Sequence, residues 1–307
     1  MSLAGISAAP MSKSWDAEKQ TAGFRQLVDH ALEQAVSPGQ DSALYASMRY
    51  TLLGPGKRIR PVLCLVATTM FGGSAQSALP TACALEMLHA ATLIHDDLPA
   101  MDNDDMRRGR PSNHKIFGDG MALLAGDALL AYSLEFILTS TKGVEPQRLL
   151  RVIETLVRVV GAEGLTGGQA LDIEADAQGA VDLAQLEIMH YRKTASLIQA
   201  SVRTGCILAG VEDEHMEGIM SFAGKVGLAF QIVDDVLDET GTDDQIGKPT
   251  GSDRARGKMT FPSVMGVDAA MARAHNLLAE SKRDLEPYGA KAYPLLLMAD
   301  CMIDRTS

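Results

Sequence analysis

The chain is short of cysteine, of positive charge and of aromatic rings, and the first two shortages each close off a class of function. Its four cysteines, Cys64, Cys83, Cys206 and Cys301, stand far apart with no CxxC pair. That spacing builds neither a zinc site nor a disulfide framework and suits thiols buried in a reducing compartment. Lys and Arg number 28 against 39 Asp and Glu, a net charge of −11. A general binder of nucleic acid or of an anionic membrane is thereby excluded, unless basic residues gather locally. The opening MSLAGISAAPMSKS lacks the apolar core of a targeting segment, and no later stretch reads as long enough without charge to span a bilayer. A soluble, cytoplasmic protein with a disordered start over residues 1–14 is expected.

Aromatic residues are 5% of the chain, while hydrophobic residues reach 46% of 307, enough to bury a core. Ala, Leu and Met are plentiful and apolar positions recur at helical spacing, so the expected class is all-α, with no strand evident. The spacing predicts helices over 16–36, 40–53, 61–71, 78–98, 119–140, 146–161, 183–209, 214–239 and 262–286, with a short one near the C-terminus. Gly and Pro punctuate them at GPGK (54–57), FGG (71–73), RGRPS (108–112), GAEGLTGGQ (161–169) and GKPTGSDRARGK (247–258). None reads as a domain boundary, so a single domain is expected over 15–307.

Two aspartate clusters dominate what is present. The first, HDDLPAMDNDDMRRGRP (95–111), follows the apolar run ALEMLHAATLI (84–94). That run is apolar nearly all round, which marks a helix at the centre of a bundle, and its polar exceptions His89, Thr92 and Asp96 make one stripe that should face a cavity. Pro99 should end the helix at Leu98 and leave Asp102 to the following loop, where a turn of the chain brings it back towards Asp96. In the second cluster, FQIVDDVLDE (230–239), Gln231, Asp234, Asp235 and Asp238 fall within an arc of about 100° on one helix face. Gly224 and Gly227 on that face leave room for something to lie against it.

A single acidic run reads equally well as a solvated helix end. Two clusters change the weighing, because carboxylates such as Asp96 and Asp97 at a helix C-terminus oppose the macrodipole unless a cation neutralises them. Oxygen-only donors suit Mg²⁺, which keeps several waters and shares its other positions with phosphate oxygens. The expectation is a metal site completed by a phosphorylated substrate. Lys57 and Arg60 in GPGKRIRP precede an expected helix start at Pro61, where free N–H groups attract anions. Lys57, Arg60, His89 and Arg108 are expected around one phosphate group that needs no metal, and Arg107, Lys193, Lys248 and Lys258 around another together with the metal.

These residues resemble the short-chain trans-prenyl diphosphate synthases. DDLPAMD is similar to the family's first aspartate-rich motif in its bacterial and plastid form, and DDVLD to the second. GPGKRIRP, DNDDMRRGRPSNHK, LAGDALL, GGQALDIEAD, RKTASLI, GLAFQIVDD and GKMTFPS accompany them in family order, from about residue 40 to 290. The resemblance implies an all-α bundle around a deep central cavity, a homodimer, and successive addition of isopentenyl diphosphate to an allylic diphosphate (dimethylallyl, geranyl or farnesyl). By position it implies Mg²⁺ on Asp96, Asp102 and Asp234, with Asp97, Asp235 and Asp238 in support. It implies Arg107, Lys193, Lys248 and Lys258 on the allylic diphosphate, and Lys57, Arg60, His89 and Arg108 on the isopentenyl diphosphate. Thr194 and Gln231 would flank the reacting carbons, with Gln169 and Asp172 of GGQALD behind them.

Farnesyl-making bacterial members commonly carry a tyrosine five residues before the first aspartate, where this chain has Ala91. With Ala91 and Thr92 both small, the floor of the tail pocket is expected to be open, with Met87 and Leu88 or residues of a neighbouring helix setting its limit, and the main product is expected to be geranylgeranyl diphosphate; a farnesyl diphosphate synthase is the alternative. A terpene cyclase or squalene-type synthase also carries aspartate motifs, but a cyclase grips one diphosphate and leaves Lys57, Arg60 and Arg108 without a role. A non-catalytic synthase subunit usually lacks one aspartate motif, and both stand here.

Overall fold

In the computed structural model, which describes residues 17–37, 42–178, 181–241, 251 and 257–304, helix follows helix. The first half runs through α1 (Ala17–Ala35), α2 (Ala43–Leu52), α3 (Ile59–Met70), α4 (Ala75–Asp96), the short α5 (Asn113–Phe117), α6 (Asp119–Ser140) and α7 (Pro146–Val160). The second half contains α8 (Leu165–Gln178), α9 (Leu183–His190), α10 (Ser196–Leu208), α11 (Glu217–Thr240), the short α12 (Phe261–Met265), α13 (Val267–Asp284) and α14 (Tyr293–Ile303). The all-α class follows directly. The expected disordered start over 1–14, and Lys248, lie outside the described residues.

Helix α4 is the axis of the fold. It begins where the Ser74 side chain accepts from the Ser77 N–H, and every residue from Ala78 to Leu88 is buried. A helix apolar on all sides has no face to give to solvent, so it is wrapped, here by α3 and α6. Beyond its first turn, it opens only towards its C-terminal end: His89, Thr92, Leu93, His95 and Asp96 are half-buried while Ala91 and Ile94 stay sealed. All three residues of the polar stripe read from the sequence, His89, Thr92 and Asp96, lie in this part of α4 that solvent reaches.

Several boundaries differ from the expected ones. Segment 183–209 is not one helix: the backbone widens into a π turn at Tyr191–Ala195 between α9 and α10. Segment 262–286 is split at Gly266, whose φ of 84° lies in the left-handed region. GAEGLTGGQ, read as a connection, is helical from Leu165, because its glycines serve close packing: a Cβ at Gly164 would lie 2.0 Å from the Val159 carbonyl oxygen and one at Gly168 would lie 2.5 Å from the Lys193 nitrogen. Helix α3 starts at Ile59, which puts Arg60 inside its first turn. A two-residue antiparallel ladder, Met106–Arg107 against Arg110–Pro111, adds strand where none was evident.

Two expectations of composition need correcting. Ala75–Asp96 and Asp119–Ser140 are each long and apolar enough, by length and composition, to cross a membrane; the isolated charges within each run had hidden this. In α4, 78% of the apolar window is buried inside the fold, as in the core helix of a bundle, but in α6 only 33% is. Leu123, Leu124 and Leu138 of α6 are about half exposed or more. Cys64, Cys83 and Cys206 are buried thiols as expected, whereas Cys301 is exposed.

Candidate active site

Helix α4 ends at Asp96, with Asp97 as its cap, and the chain doubles back. The Asp102 N–H donates to the Asp96 carbonyl at 2.9 Å and the Asn103 N–H to that of Leu98 at 3.1 Å, so the two aspartates converge as the Pro99 break required. The ladder that follows is closed by Arg108 (φ 53°) and Gly109 (φ 75°), the paired positive φ angles of a type I′ hairpin. Among the described residues the non-glycines with positive φ are Arg58, Asn103 and Arg108. Each such residue costs roughly 1–2 kcal/mol, and all three lie in the loops beside these groups. Left-handed non-glycines concentrate where function imposes a backbone shape.

Arg107 reaches back from this hairpin. It donates from Nε to Asp97 Oδ1 at 2.9 Å and from Nη2 to the same oxygen and to Asp104 Oδ2 at 3.3 Å. Its fork is thus engaged by carboxylates, and the charge of Asp96 reaches it as well. Leu93, Asp97, Arg107, Arg108 and Asn113 line a cleft here.

Two short segments tie the two aspartate clusters together. In the π turn, Lys193 Nζ donates to Asp172 of α8, while its neighbour Thr194 donates from Oγ1 to Gln231 Oε1 of α11 at 2.7 Å. Ahead of α12, Lys258 Nζ donates to Asp102 Oδ1 at 2.6 Å, while the Phe261 N–H donates to Asp235 Oδ2 of α11 at 3.0 Å. The Lys258–Phe261 segment is therefore bonded to both clusters, while the π turn joins α8 to α11 and reaches the first cluster through the charge of Lys193, which Asp96 and Asp102 feel. The π turn is what makes this possible, since consecutive side chains reach different helices, and π bulges recur at functional sites. Close packing fixes it: a Cβ at Gly227 would lie 2.7 Å from Ala195, so the space left on α11 by its glycines is filled by this turn.

The carboxylates differ in role. Asp235 is buried, receiving Gln231 Nε2 at 2.7 Å besides the Phe261 N–H, with His190 Nε2 at 3.6 Å and its ring stacked on Phe261. Asp238 is buried too, and Asp234 is half-buried on the accessible side. Burial lifts the carboxyls of Asp96 and Asp97 above the ordinary aspartate value, against the pull of Lys193 on Asp96 and of Arg107 on Asp97. Burial would lower the Lys193 ammonium, but Asp172, Asp96 and Asp102 outweigh it and hold it above the ordinary lysine value. Asp176, one turn beyond Asp172, belongs to the same field, its carboxyl raised by burial and by Asp172.

No group of three or more metal-binding side chains converges on one point among the described residues. Mg²⁺ takes one or two carboxylates and completes its shell with water and phosphate oxygens. The donors present are all oxygens, and Gln169 Oε1 beside Asp172 is buried without a hydrogen-bond partner among the described residues.

A separate basic group lies on the other side of His89. Arg108 donates from Nη1 to the Pro55 carbonyl at 2.8 Å and its Nη2 lies 3.1 Å from His89 Nε2. Burial, then the charges of Arg60, Arg108, Arg107 and Arg58, hold the His89 imidazole well below its ordinary value. Arg58 and Arg107 are themselves taken up by carboxylates, so Arg60 and Arg108 beside a neutral histidine make the candidate anion site that needs no metal.

The chain matches the polyprenyl synthetase family over residues 41–292. It belongs to that family. Among its relatives, a dimethylallyltranstransferase of Fischerella ambigua (strain UTEX 1903) is 49% identical over 282 residues, covering 92% of this chain and 82% of the relative. A chloroplastic geranylgeranyl pyrophosphate synthase of Catharanthus roseus is 44% identical over 290 residues, covering 94% and 81%. The crystal structure of a geranyltransferase of Helicobacter pylori, complexed with magnesium and isoprenyl diphosphate, superposes with a TM-score of 0.84 at 29% identity, covering 96% of this chain and 98% of that one.

Within this polyprenyl synthetase, contacts join Asp97 to Arg107, Asp102 to Lys258, Lys193 to Asp172, Gln231 to Thr194 and Asp235, and His89 to Arg108, while Lys248 lies outside the described residues. One correction concerns the tail pocket. Ala91 and Met87 are fully buried and Leu88 is 2% exposed, so the floor is not open at Ala91. Counting 100° per residue, Ala91 lies about 140° around α4 from Asp96 and Thr92 only about 40°; of the two, Thr92 is the half-buried one.

Sequence reasoning missed Arg58, Glu86 and Asp29, discussed below, and Asp176. Glu86 had a visible signal, a lone acid inside an apolar run. His89 carries a stability consequence. Because the fold depresses its basicity, the unfolded chain binds the proton more readily, so stability contributed at neutral pH is lost as pH falls below about 6.5, the ordinary histidine value. Melting curves from pH 8 to 5 should show this loss shrink in His89→Gln.

Proposed function

We propose that this polyprenyl synthetase adds isopentenyl diphosphate head-to-tail to an allylic diphosphate, with geranylgeranyl diphosphate as its main product. The observation that carries the reading is the bridge Lys258–Phe261, bonded to Asp102 of the first aspartate cluster and to Asp235 of the second, with Lys193 in the field of Asp96 and Asp102; this supports one polyanion site, while His89 with Arg60 and Arg108 supports another. Two diphosphate sites serve two substrates, which a cyclase does not have.

Lys193 and Lys258 are held by Asp172 and Asp102, so each is poised to exchange a carboxylate for a phosphate oxygen as the allylic substrate enters. Asp96, Asp102 and Asp234 would hold Mg²⁺ ions, which would supply electrostatic stabilisation of the departing diphosphate. Lys193 and Lys258 add fixed positive charge to the same group, which lowers the barrier to breaking the allylic C–O bond. Thr194 and Gln231, locked to each other and to Asp235, face the carbons that acquire positive charge. The Arg60, His89 and Arg108 group holds the second substrate so that its double bond meets that carbon, a positioning effect. The released diphosphate takes the final proton, as the resemblance to the trans-prenyl diphosphate synthases implies.

The homodimer is part of the proposal. Helix α6 presents Leu123, Leu124 and Leu138 outward, and an apolar helix face of this kind is covered by a second copy more readily than left in water. Incubating purified protein with labelled isopentenyl diphosphate and, separately, dimethylallyl, geranyl and farnesyl diphosphate tests the reading by product chromatography. Geranylgeranyl product that disappears on chelation of Mg²⁺ is expected. Failure to consume isopentenyl diphosphate would refute it.

A further inference from the structure

Arg58 stands between Lys57 and Arg60 in GPGKRIRP, yet it is only 6% exposed while Lys57 is open to solvent. Its guanidinium is fully engaged: Nε donates to Asp29 Oδ1 of α1 at 2.7 Å, Nη1 to Glu86 Oε1 of α4 at 2.8 Å and Nη2 to the Gly54 carbonyl at 3.0 Å. Its backbone is left-handed, with φ 51° and ψ 37°. A non-glycine residue keeps that conformation where its surroundings over-determine it, and the three bonds do so here. Glu86, 3% exposed, precedes His89 by three residues and so shares its helix face. A Cβ on Gly56 would lie 2.8 Å from Arg108 Nη1 and 3.1 Å from Arg58 Nη1. The two guanidiniums thus flank one bare stretch of backbone, and Glu86 is the carboxylate whose charge reaches both.

We propose that Arg58, clamped by Glu86 and Asp29, is a positioning residue for the isopentenyl diphosphate site: it fixes loop 54–58 so that Lys57 and Arg60 meet the same anion as His89 and Arg108. It touches no substrate atom. The inference rests on the two-diphosphate reading above. Charge alone would act in the opposite direction, because a carboxylate beside an anion site repels the anion and its removal would tighten binding. Positioning makes the same removal weaken binding.

The test is steady-state kinetics of Glu86→Gln, Arg58→Lys and Asp29→Asn, varying each substrate separately, with thermal melting alongside. KM for isopentenyl diphosphate should rise about tenfold in Glu86→Gln and Arg58→Lys, with allylic KM and saturating kcat within about twofold of wild type. Asp29→Asn, at a side chain 43% exposed, should raise the same KM about threefold. An isopentenyl diphosphate KM that falls or stays unchanged overturns the proposal. So does a rise of both KM values together with a fall in kcat that tracks the melting temperature. Asp29→Asn alone decides the matter where the buried variants do not fold. Wild-type protein that ignores isopentenyl diphosphate would instead sink the two-diphosphate reading itself.

Discussion

Asp96→Asn is expected to lower kcat by about 10³-fold, roughly 4 kcal/mol of transition-state stabilisation, while leaving the fold as stable as before or slightly more so. The two halves of this expectation have one cause. Burial raises the Asp96 carboxyl above the ordinary aspartate value, so the folded apo protein disfavours its charge. A group whose folded value is raised contributes stability at pH below its unfolded value, and that contribution is lost as pH rises through the folded value. At neutral pH the ionised Asp96 therefore costs stability, and a neutral amide of the same shape removes the cost. The charge earns its place only with a cation and a departing diphosphate present. Thermal shift on adding Mg²⁺ and inorganic diphosphate should consequently grow between pH 5 and 8 in the wild type and be small throughout in the variant. A variant that keeps more than a tenth of wild-type kcat, or one that fails to fold, counts against this assignment.

The sequence showed the chemistry of this site more readily than its construction. Helix periodicity exposed α4 and α11, because an apolar run with one polar stripe reads the same in sequence and in space. Pro99 announced the turn that returns Asp102 to Asp96. What stayed hidden depends on contacts between distant segments. The π turn at Tyr191–Ala195 has no periodicity of its own, and it exists because Gly168 of α8 and Gly227 of α11 admit its backbone from two sides. Those glycines looked like punctuation in one case and an empty groove in the other. Arg58 looked like one more cation in a basic loop, and only the position of Glu86 and Asp29 in space makes it the loop's anchor. The exposed face of α6 was equally out of reach, since length and hydropathy do not say which side of an apolar helix its own fold covers.

Thr92→Phe should shift the main product from geranylgeranyl towards farnesyl diphosphate, whereas Ala91→Phe should chiefly destabilise the protein. Thr92 lies one turn, about 6 Å, below Asp96 and about 40° around the helix, on the side of α4 that solvent reaches. A ring there stands in the path of a tail growing away from the diphosphate, and its bulk is accommodated by displacing water or substrate. Ala91 has no accessible surface at all. A ring inserted there meets packed neighbours, which costs about 1–3 kcal/mol and shifts the helix backbone before it touches a substrate. Product chromatography paired with chemical denaturation separates the two: a shorter product with near wild-type stability for Thr92→Phe, and lost stability with a largely unchanged product profile for Ala91→Phe. The reverse pattern would mean that the tail follows the Ala91 side of α4, and that the sealed packing there opens when substrate binds.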